Sequence, residues 1–439
     1  MFLSPDMGVL HPENGLSIMK RFVFSFMSLI LAAAVLPVSA QTYMSFRSEM
    51  AQILEKAKWR LGPFRIRPLL LIRDIGYDDN IFYAREESRR VSDFTATLSP
   101  QVNIHLIYRD RIILSIMENP GYVFFARETK ERALNNTFSP SLRLLLLDRL
   151  ALTGSYQNRK VRSRATSEFN VRSTVRTEGS GIHLFYETPR GTSIGLSGTR
   201  NTFKYEDIIL PGEEQSLSLS LNREERRAQL EVYYRAFSLS SLFFTAGYTD
   251  YLFLHQASRW RDSDSYQVLS GVQLPLTGRA RGMVSLGYKV MRPRRGELKG
   301  FSGLIGNSDL SLRVGRLGLR FHYSRDSQFS HWFNNIYFIE NLYIPGTSLY
   351  LTEFLRLDYD YALGRNLYPE RTLVQNPDGS LEESQRLDRF RTHSFGAVVR
   401  IVRDIGIGLM VSLDRRNSNF FYENNRNRSF FGGYVTYEF

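Results

Sequence analysis

The chain ends on the ten residues FFGGYVTYEF, residues 430–439. Apolar and more polar residues alternate along this segment, so that one face is mostly apolar: Phe431, Gly433, Val435, Tyr437 and Phe439. A period of two is the pattern of a β-strand that has one apolar face. The sequence therefore predicts that the chain ends on an amphipathic strand with no polar tail behind it.

A strand that stops on a terminal phenylalanine resembles the closing strand of bacterial outer-membrane β-barrels. In those proteins the assembly machinery reads this end of the chain. The resemblance therefore implies that Phe439, Tyr437 and Val435 form an assembly signal. The alternative for this stretch alone is the edge strand of a soluble sandwich, and the rest of the chain has to decide between the two.

Length and composition favour one large barrel. The chain has 439 residues and no cysteine, which excludes a disulfide scaffold and any Cys-ligated metal or haem site. Aromatic residues make up 13% of the chain, which suits the two aromatic belts of a membrane barrel. The mean hydropathy is −0.27, and beyond the N-terminal segment we find no apolar run of about 18 residues, so a helical membrane protein is excluded.

The chain is basic, with a formal net charge of +13. Such a balance favours anionic lipid, an anionic solute or nucleic acid as a partner. The basic residues are spread through strands and loops and do not gather on one helix or tail. We therefore expect no nucleic-acid partner.

Residues 1–40 are predicted to be an upstream extension followed by a signal peptide. Met19-Lys20-Arg21 forms a positive start, residues 22–36 are apolar, and Val38-Ser39-Ala40 is a small-residue cleavage site. This order is that of a secretory signal. Gln41 is the expected mature start, and Met19 is the expected initiator. Export without cysteine fits the periplasm or outer membrane of a Gram-negative cell.

Residues 41–63 are predicted to be a periplasmic helical segment. Within residues 44–61, apolar side chains recur at helical spacing: Phe46, Met50, Ile53, Leu54, Ala57 and Leu61. Gly62-Pro63 ends the pattern. Two positions are open for this helix, packed on the periplasmic rim or inserted as a plug. We favour the rim, because the helix is short against a wide barrel.

From residue 64 onward the sequence predicts strands and no second helix. The clearest hairpin spans residues 310–323, where leucines and aromatics alternate with small or charged residues around Gly315-Arg316. In a membrane barrel the apolar face meets lipid and the charged face lines the lumen. Leu319 is then predicted to face lipid, and Arg320 to face the lumen. We accordingly expect Leu319→Arg to be costly and Arg320→Leu to be mild.

Turn lengths predict the topology of residues 64–439. Short turns, among them Pro345–Ser348, alternate with long polar connections, as periplasmic turns alternate with extracellular loops. The count gives an all-β fold, a transmembrane up-and-down antiparallel β-barrel of about 18 strands, with 16 as the alternative. Residues 215–237 are read as one strand, with 215–225 as an extension beyond the membrane or a bulge, because an even number is expected.

Several charged side chains fall on predicted lumen faces. The candidates are Arg235, Lys289, Arg313, Arg320, Arg356, Asp358 and Asp360, with Glu231 also inward. A surplus of fixed positive charge would attract anions if the pore is wide enough to stay wet. The alternative is that Arg356, Asp358, Asp360 and their neighbours form a neutral cross-strand ladder that braces the wall.

No catalytic, cofactor-binding or metal site is predicted. The seven histidines stand singly, and we find no nucleophile motif and no phosphate-binding glycine loop. The string GYDDNIF, residues 76–82, is the most distinctive local motif. Its carboxylates could bind a cation, although a polar turn is the favoured interpretation.

This motif after a first strand, a many-stranded body and a terminal phenylalanine together resemble the outer-membrane family called β-barrel porin 2. The resemblance covers about residues 64–439. It implies a link to exopolysaccharide export, and so to an anionic polysaccharide as a partner. The N-terminal helix and the basic charge do not follow from it.

The sequence thus predicts a porin-like channel of the cell outer membrane for anionic or sugar solutes. The expected partners are outer-membrane lipid, lipopolysaccharide and the assembly machinery, and no cofactor is expected. Two alternatives remain. The first is a non-conducting structural or assembly barrel whose loops bind surface polysaccharide or a secretion partner, and the second is a barrel-borne hydrolase.

Overall fold

The fold is taken from a computed structural model. It describes residues 45–84, 89–164, 166–168, 171–209, 216–236, 240–274, 279–332, 334–376, 379–402, 404–420 and 426–439. The predicted signal peptide, residues 1–40, lies outside the described residues. No helix in the described ranges is long and apolar enough to cross a membrane.

Eighteen antiparallel strands form one closed barrel. The first nine are β1 (Phe64–Asp78), β2 (Asp93–Tyr108), β3 (Ile112–Glu118, continued by Gly121–Phe125), β4 (Ala133–Leu146), β5 (Leu150–Arg164), β6 (Arg172–Glu187), β7 (Thr192–Tyr205), β8 (Arg223–Tyr234) and β9 (Ser241–Phe253). The second nine are β10 (Ser263–Gln273), β11 (Ala280–Pro293), β12 (Phe301–Val314), β13 (Leu317–Phe329), β14 (Tyr337–Tyr350), β15 (Leu355–Gln375), β16 (Leu381–Val402), β17 (Ile405–Ser418) and β18 (Arg426–Glu438). A separate short strand, Trp59–Leu61, pairs with the start of β1.

The barrel closes where the last strand meets the first. β18 pairs with β1 from Leu69 opposite Glu438 to Asp78 opposite Phe430. Every other barrel strand pairs with its neighbours in the chain, so the eighteen described barrel strands have no free edge, which confirms the predicted up-and-down barrel of eighteen strands. One end of the barrel carries short turns and the other carries long loops, and we call them the short-turn end and the long-loop end.

Side chains alternate between the two faces of the wall. In β13, Leu319 is 42% exposed on the outside, whereas the Arg320 side chain is 13% exposed and points inward. The same alternation sets exposed Leu357 against buried Arg356 and Asp358 in β15. Exposed apolar side chains on the outside of such a barrel form the band that lipid covers.

The N-terminal helix α1 (Phe46–Lys56) is present and begins at Ser45, whose hydroxyl accepts a hydrogen bond from the amide of Ser48. Its apolar side chains pack on side chains of the inward face near the short-turn end, namely Ile113, Leu145 and Ala151. Glu49 of the helix also pairs with the inward-facing Arg143. The helix therefore lies within the short-turn mouth, against the wall formed by β2 to β5.

The prediction that no second helix follows residue 64 is wrong. Residues 216–222 contain a short helix, α2 (Leu217–Leu221), which Ser216 caps through its hydroxyl. Leu217 and Leu221 are four residues apart and share one buried cluster with Tyr205. The Leu-Ser alternation has a period of two, but burial of an i, i+4 pair decides the local structure. The described residues 216–236 contain one strand, β8 (Arg223–Tyr234), as predicted, but the expected strand extension or bulge at 215–225 is wrong, because α2 occupies Leu217–Leu221.

The predicted turn at Pro345–Ser348 is also wrong. Pro345 lies inside β14, opposite Phe321 of β13, and the chain turns at residues 351–354. Pairing of β14 with β15 is interrupted between Tyr343 and Gly346. Proline has no amide hydrogen to give to a neighbouring strand, so the ladder skips it and then continues.

Candidate functional site: the barrel lumen

One half of the lumen wall is lined by uncharged polar side chains. On the inward face of β2 to β7, hydroxyls, amides and glycines alternate with outward apolar residues such as Leu98, Leu184 and Leu196. Gln157 donates to the hydroxyl of Ser139, and Ser155 is exposed although it faces inward. The uncharged polar side chains that face inward midway along this wall include Gln101, Asn103, Ser115, Ser139, Ser141, Ser155, Gln157, Thr177, Ser197, Thr199 and Asn201.

Arg143 and Arg159 face inward from this polar wall. Arg143 pairs with Glu49 of helix α1. Arg159 lies between Thr137 of β4 and Thr177 of β6, and the described residues give it no carboxylate partner. The wall of β2 to β7 is therefore rich in hydroxyls and amides, and Arg159 is a cation on it to which the described residues give no counter-charge.

A network of buried ion pairs crosses β13, β14 and β15 on the opposite half of the wall. Arg320 donates to Asp360 at 2.8 Å and to Asp358 at 3.4 Å, and it also contacts the hydroxyl of Ser348. Arg356 donates to Asp358 at 2.8 Å. Two arginines and two aspartates thus balance, which is the arrangement of the neutral ladder rather than of an anion-attracting surplus at these positions.

Two residues that the sequence analysis missed make this ladder possible. The Ser348 hydroxyl donates to Asp358 at 2.6 Å. At Gly346, a Cβ would collide with the carboxylate of Asp360, so the glycine gives that side chain its place. A glycine inside a strand, one residue after a proline, was the available signal.

The remaining predicted lumen residues are in different surroundings. Lys289 faces inward from β11, is 3% exposed and pairs with Asp326 of β13 at 2.8 Å. Arg313 lies near the end of β12, with its guanidinium 4.4 Å from the ring centre of Tyr350. Arg235 lies one residue beyond the end of β8 and is exposed at the short-turn end, so its place in the lumen stays a prediction.

The GYDDNIF motif forms the long-loop end of the closing seam. Asp78 accepts two hydrogen bonds from Arg428 of β18, and Asn80 donates to the carbonyl of Asn427. The second carboxylate, Asp79, accepts from the amide of Ser429. Both carboxylates are thus occupied by protein donors, as the polar-turn interpretation expects and a cation site does not.

The close approach of β1 and β18 explains why the motif begins with a glycine. A Cβ at Gly76 would collide with the carbonyl oxygen of Phe431 in the neighbouring strand. The pairing of β1 with β18 shifts register between Ile72 and Ile75, and Asp74 has φ +56° at this bulge. At the other end of the seam Arg67 donates to Glu438 at 2.6 Å. Ion pairs therefore join β1 and β18 at both ends.

Loops of the long-loop end interlock in a buried layer. Glu168, from the β5–β6 connection, accepts from the Ser330 hydroxyl at 2.5 Å and from the His331 amide at 2.8 Å. Ser330 and His331 belong to the β13–β14 connection, so two distant loops meet. Arg261, from the β9–β10 connection, donates to the backbone carbonyls of Ser220, Ser330 and Ile336. We call this set the loop layer.

A buried charge cluster on the wall holds the same segment. Arg386 and Arg416 both donate to Asp388, at 2.8 Å and 2.6 Å, and both also donate to the backbone carbonyl of Glu168. Asp388 is fully buried. The β5–β6 connection is thereby fastened to β17 and β16, which lie six and seven strands away from β5 by the shorter way around the closed wall.

The loop layer perturbs its titratable groups, which lie outside the strands. Burial raises the pKa of Glu168 against the opposing charge of Arg386. Burial, helped by Arg261, lowers the pKa of His331 to about 4. Burial also lowers the pKa of Arg261 to about 10. These directions follow from desolvation, which disfavours the charged form of each group.

The loop layer contains one serine–histidine pair, Ser220 and His331, with Oγ and Nδ1 2.5 Å apart. The two residues are 1% and 3% exposed, and the Ser220 hydroxyl also reaches the carbonyls of Ser216 and Leu217. A buried pair of this kind offers no room for a substrate and serves here to join α2 to the β13–β14 connection. Among the described residues no group of three His, Asp or Glu side chains could hold a metal ion.

The predicted assembly residues end β18 at the short-turn end. Phe439 and Tyr437 are 46% and 36% exposed, and their rings meet edge to face with centroids 4.4 Å apart. Val435 pairs with Ile72 of β1 and Ile407 of β17. The three side chains lie on the outward face of the strand that closes the barrel.

Comparison with solved structures returns large outer-membrane barrels. OpdK of Pseudomonas aeruginosa shares 13% identity with a TM-score of 0.45, over 87% of this chain and 100% of that one. OpdO of Pseudomonas aeruginosa shares 11% identity with a TM-score of 0.47, over 85% and 97%. The siderophore receptor PirA of Acinetobacter baumannii shares 8% identity with a TM-score of 0.41, over 85% and 80%. No curated protein matches the sequence.

The comparison with protein families is more direct. The family described as beta-barrel porin 2 matches residues 55–436, which is most of the chain and all of the barrel except the last residues of β18. The resemblance seen at residues 76–82 is thereby confirmed, together with the outer-membrane location, so that the long loops are extracellular and the short turns periplasmic. The chain belongs to the beta-barrel porin 2 family and is a porin-like β-barrel of the outer membrane.

Proposed function

We propose that this barrel conducts carbohydrate solutes, neutral or anionic, along the polar wall of β2 to β7. The observation that carries the proposal is the inward face of these strands, where hydroxyl and amide side chains dominate. Such groups donate and accept hydrogen bonds without a net charge, which matches the hydroxyls of a sugar. The ladder across the lumen is electrically balanced and does not compete for a neutral solute.

Arg159 supplies the preference for anionic sugars in this proposal. It faces the lumen from the hydroxyl-rich wall and has no carboxylate partner among the described residues. A fixed cation in a wet pore raises the local concentration of anions. The exopolysaccharide link that the family resemblance implies fits the same chemistry, since acidic polysaccharides combine hydroxyls with carboxylates.

Liposome swelling tests the proposal. Purified barrel in liposomes should admit a neutral hexose and a hexuronate faster than a dipeptide of similar mass. Gln157→Leu with Asn201→Leu should slow the entry of both sugars several-fold. Arg159→Gln should slow the hexuronate and leave the hexose unchanged. Lys160→Gln is the matched control, because Lys160 is the next residue of β5, is exposed and points outward.

A second function, a non-conducting structural barrel, is favoured by the loop layer and by helix α1, which lie at the two mouths. If the barrel is structural, the folded protein admits no solute, and the lumen stays closed when either the loop layer or helix α1 is removed. If the wild-type barrel and both element deletions exclude the hexose, the channel proposal fails and the structural barrel takes its place.

A further inference from the structure

The outside of the barrel carries a row of arginines on β13 to β17 at the extracellular border. Consecutive strand partners in this row are Arg325, Asn341, Arg365, Arg389 and Asn417. One step toward the membrane, Arg391 lies opposite Arg415, which in turn lies opposite Asn427. Arg365, Arg389, Arg391 and Arg415 are all exposed, and we call these four residues the arginine patch.

The arginine patch begins where the apolar band ends. In β15 the outward residues run Leu355, Leu357, Tyr359, Tyr361 and Leu363 before Arg365. In β17, Ile407, Leu409, Val411 and Leu413 precede Arg415. Two pairs of rings pack on the membrane side of the patch. The ring centroids are 4.9 Å apart in the pair Tyr359 and Phe395, and 4.7 Å apart in the pair Tyr361 and His393. An aromatic belt marks the membrane interface, so the patch lies at headgroup level.

Two pairs in the arginine patch bring like charges directly opposite each other. Arg365 faces Arg389, and Arg391 faces Arg415, across neighbouring strands. Side chains so placed have Cβ atoms roughly 5 Å apart, and like charges there are destabilising. The described residues give none of the four an ion pair; the one side-chain contact is from Arg415 to Asn417 at 3.3 Å.

Other arginines at the same height on the barrel form ion pairs with carboxylates of neighbouring strands. Arg200 and Arg226 both donate to Glu224 at 2.6 Å. Arg294 pairs with Asp250 at 2.6 Å and with Asp264 at 3.3 Å. The arginine patch therefore differs from its surroundings in lacking an internal counter-charge, and an external anion is required to relieve the repulsion.

We infer that the arginine patch binds the phosphate groups of a phosphorylated glycolipid in the outer leaflet. Guanidinium groups bind phosphate through two parallel hydrogen bonds, and a partner at headgroup level has to be a lipid. Asn417 and Asn427 border the patch and are not buried, so they can donate to or accept from the sugar hydroxyls of such a lipid. This partner surface lies on the outside of the wall and does not depend on whether the lumen conducts.

The test measures lipid binding to the folded barrel in detergent by native mass spectrometry. The probes are lipid A with both phosphates and the same lipid with its phosphates removed. The test variant is Arg365→Gln with Arg389→Gln, Arg391→Gln and Arg415→Gln. The control variant is Arg200→Gln with Arg226→Gln, which changes arginines that already have a carboxylate partner. Unboiled gel mobility verifies that each variant is folded.

We expect the test variant to bind phosphorylated lipid A at least tenfold more weakly, and the control variant to bind it as the wild type does. The wild-type affinity should fall as salt is added, because the contact is electrostatic. Without lipid, the test variant should resist heat at least as well as the wild type, since its like-charge pairs are gone. Equal affinity of the test variant, or equal wild-type affinity for the dephosphorylated lipid, would overturn the inference.

Discussion

Arg428 in the last strand donates two hydrogen bonds to one carboxylate oxygen of Asp78 in the first strand, at 2.9 Å and 2.7 Å. The same guanidinium donates to Asp414 at 3.1 Å and to the hydroxyl of Tyr83 at 2.8 Å. The side chains of Arg428 and Asp78 are 13% and 7% exposed. One arginine therefore ties β1, β17 and β18 together at the closing seam.

Loss of this arginine should weaken the closed barrel. Arg428→Gln leaves two buried carboxylates without their cation, which costs about 3–5 kcal/mol of unfolding free energy. Asp78→Asn should cost less, because Arg428 keeps Asp414. Urea unfolding in detergent would measure both single variants and the double variant. A coupling energy near zero between the two sites would contradict a direct contribution of the pair. Arg111→Gln, at an exposed pair, is the control and should change stability far less.

The terminal aromatic pair should matter for assembly rather than for final stability. Deleting Phe439 removes one ring of the pair with Tyr437 and shortens the outward face of the strand that must find β1. We expect lower outer-membrane levels and protein left in the periplasm, with unchanged urea resistance of the fraction that inserts. Phe354→Ala is the control, since Phe354 is another exposed aromatic at the short-turn end. Equal membrane levels for wild type and deletion would reject Phe439 as a signal.

The ladder on β13 to β15 reverses one expectation from sequence. Arg320 was expected to be the mild position of the pair Leu319 and Arg320, but it holds Asp358 and Asp360. Arg320→Leu should therefore cost about 3–5 kcal/mol, comparable with the roughly 2–4 kcal/mol expected for Leu319→Arg on the lipid face. Urea unfolding compares the two, and a cost below 1 kcal/mol for Arg320→Leu would show that the ladder contributes little.

Charge balance in the ladder also sets ion selectivity if the lumen conducts. Arg320→Leu leaves a net negative charge, and Asp358→Asn with Asp360→Asn leaves a net positive one. Reversal potentials under a KCl gradient should shift toward potassium for the first variant and toward chloride for the second. Shifts of the same sign in both variants would exclude the ladder as a determinant of selectivity.

The barrel could be predicted from sequence because the patterns that determine it lie within single strands and their turns. Alternation with a period of two fixes which face of each strand is apolar, and short turns against long loops fix the direction. Boundaries were less certain: Arg235 was assigned to a strand that ends at Tyr234. Leu217–Leu221 has a strand-like alternation, and only the burial of Leu217 and Leu221 together makes it a helix.

The contacts within the site could not be predicted, because their partners are far apart in the chain. Asp78 and Arg428 are separated by 350 positions, and Glu168 and Ser330 by 162. No local sequence pattern indicates that Glu168, in a polar connection, will contact a loop on the other side of the long-loop end. The sequence could predict that Arg320 and Asp360 both face inward and could belong to one ladder. It could not predict the strand register that brings the two side chains into contact.

Helix α1 should restrict the periplasmic mouth. Glu49→Arg turns its attraction to Arg143 into repulsion and should release the helix from the inward face of β3 to β5. We expect a larger single-channel conductance, equal to that of a barrel lacking residues 45–57. Ala51→Arg adds a charge at an exposed position of the same helix and is the control. If Glu49→Arg leaves the conductance unchanged while the deletion raises it, the ion pair is not what holds the helix.

The loop layer should act as the extracellular barrier, and Glu168 is its fastening point. Glu168→Ala removes the acceptor for Ser330 and His331 and should raise the open fraction of single channels severalfold. Glu178→Ala is the matched control, because Glu178 lies on the outward face of the adjoining strand β6 and pairs with the exposed Arg176. An equal open fraction in both variants would show that the β5–β6 connection does not obstruct the pore.

Lowering the pH should change the stability of the docked loop layer through two groups, His331 and Glu168, whose effects are opposite. His331 has a pKa of about 4 when docked, below its ordinary value near 6.5, so its stabilisation of the docked layer is lost as pH falls between these values. Glu168 has a raised pKa when docked, so its contribution is present at low pH and is lost as pH rises. Glu168→Gln should therefore leave channels that open as pH falls from 7 to about 4. His331→Gln should leave channels that close over the same range. Single-channel recordings at stepped pH measure the two slopes, and slopes of equal sign would exclude the layer as the pH-sensitive element.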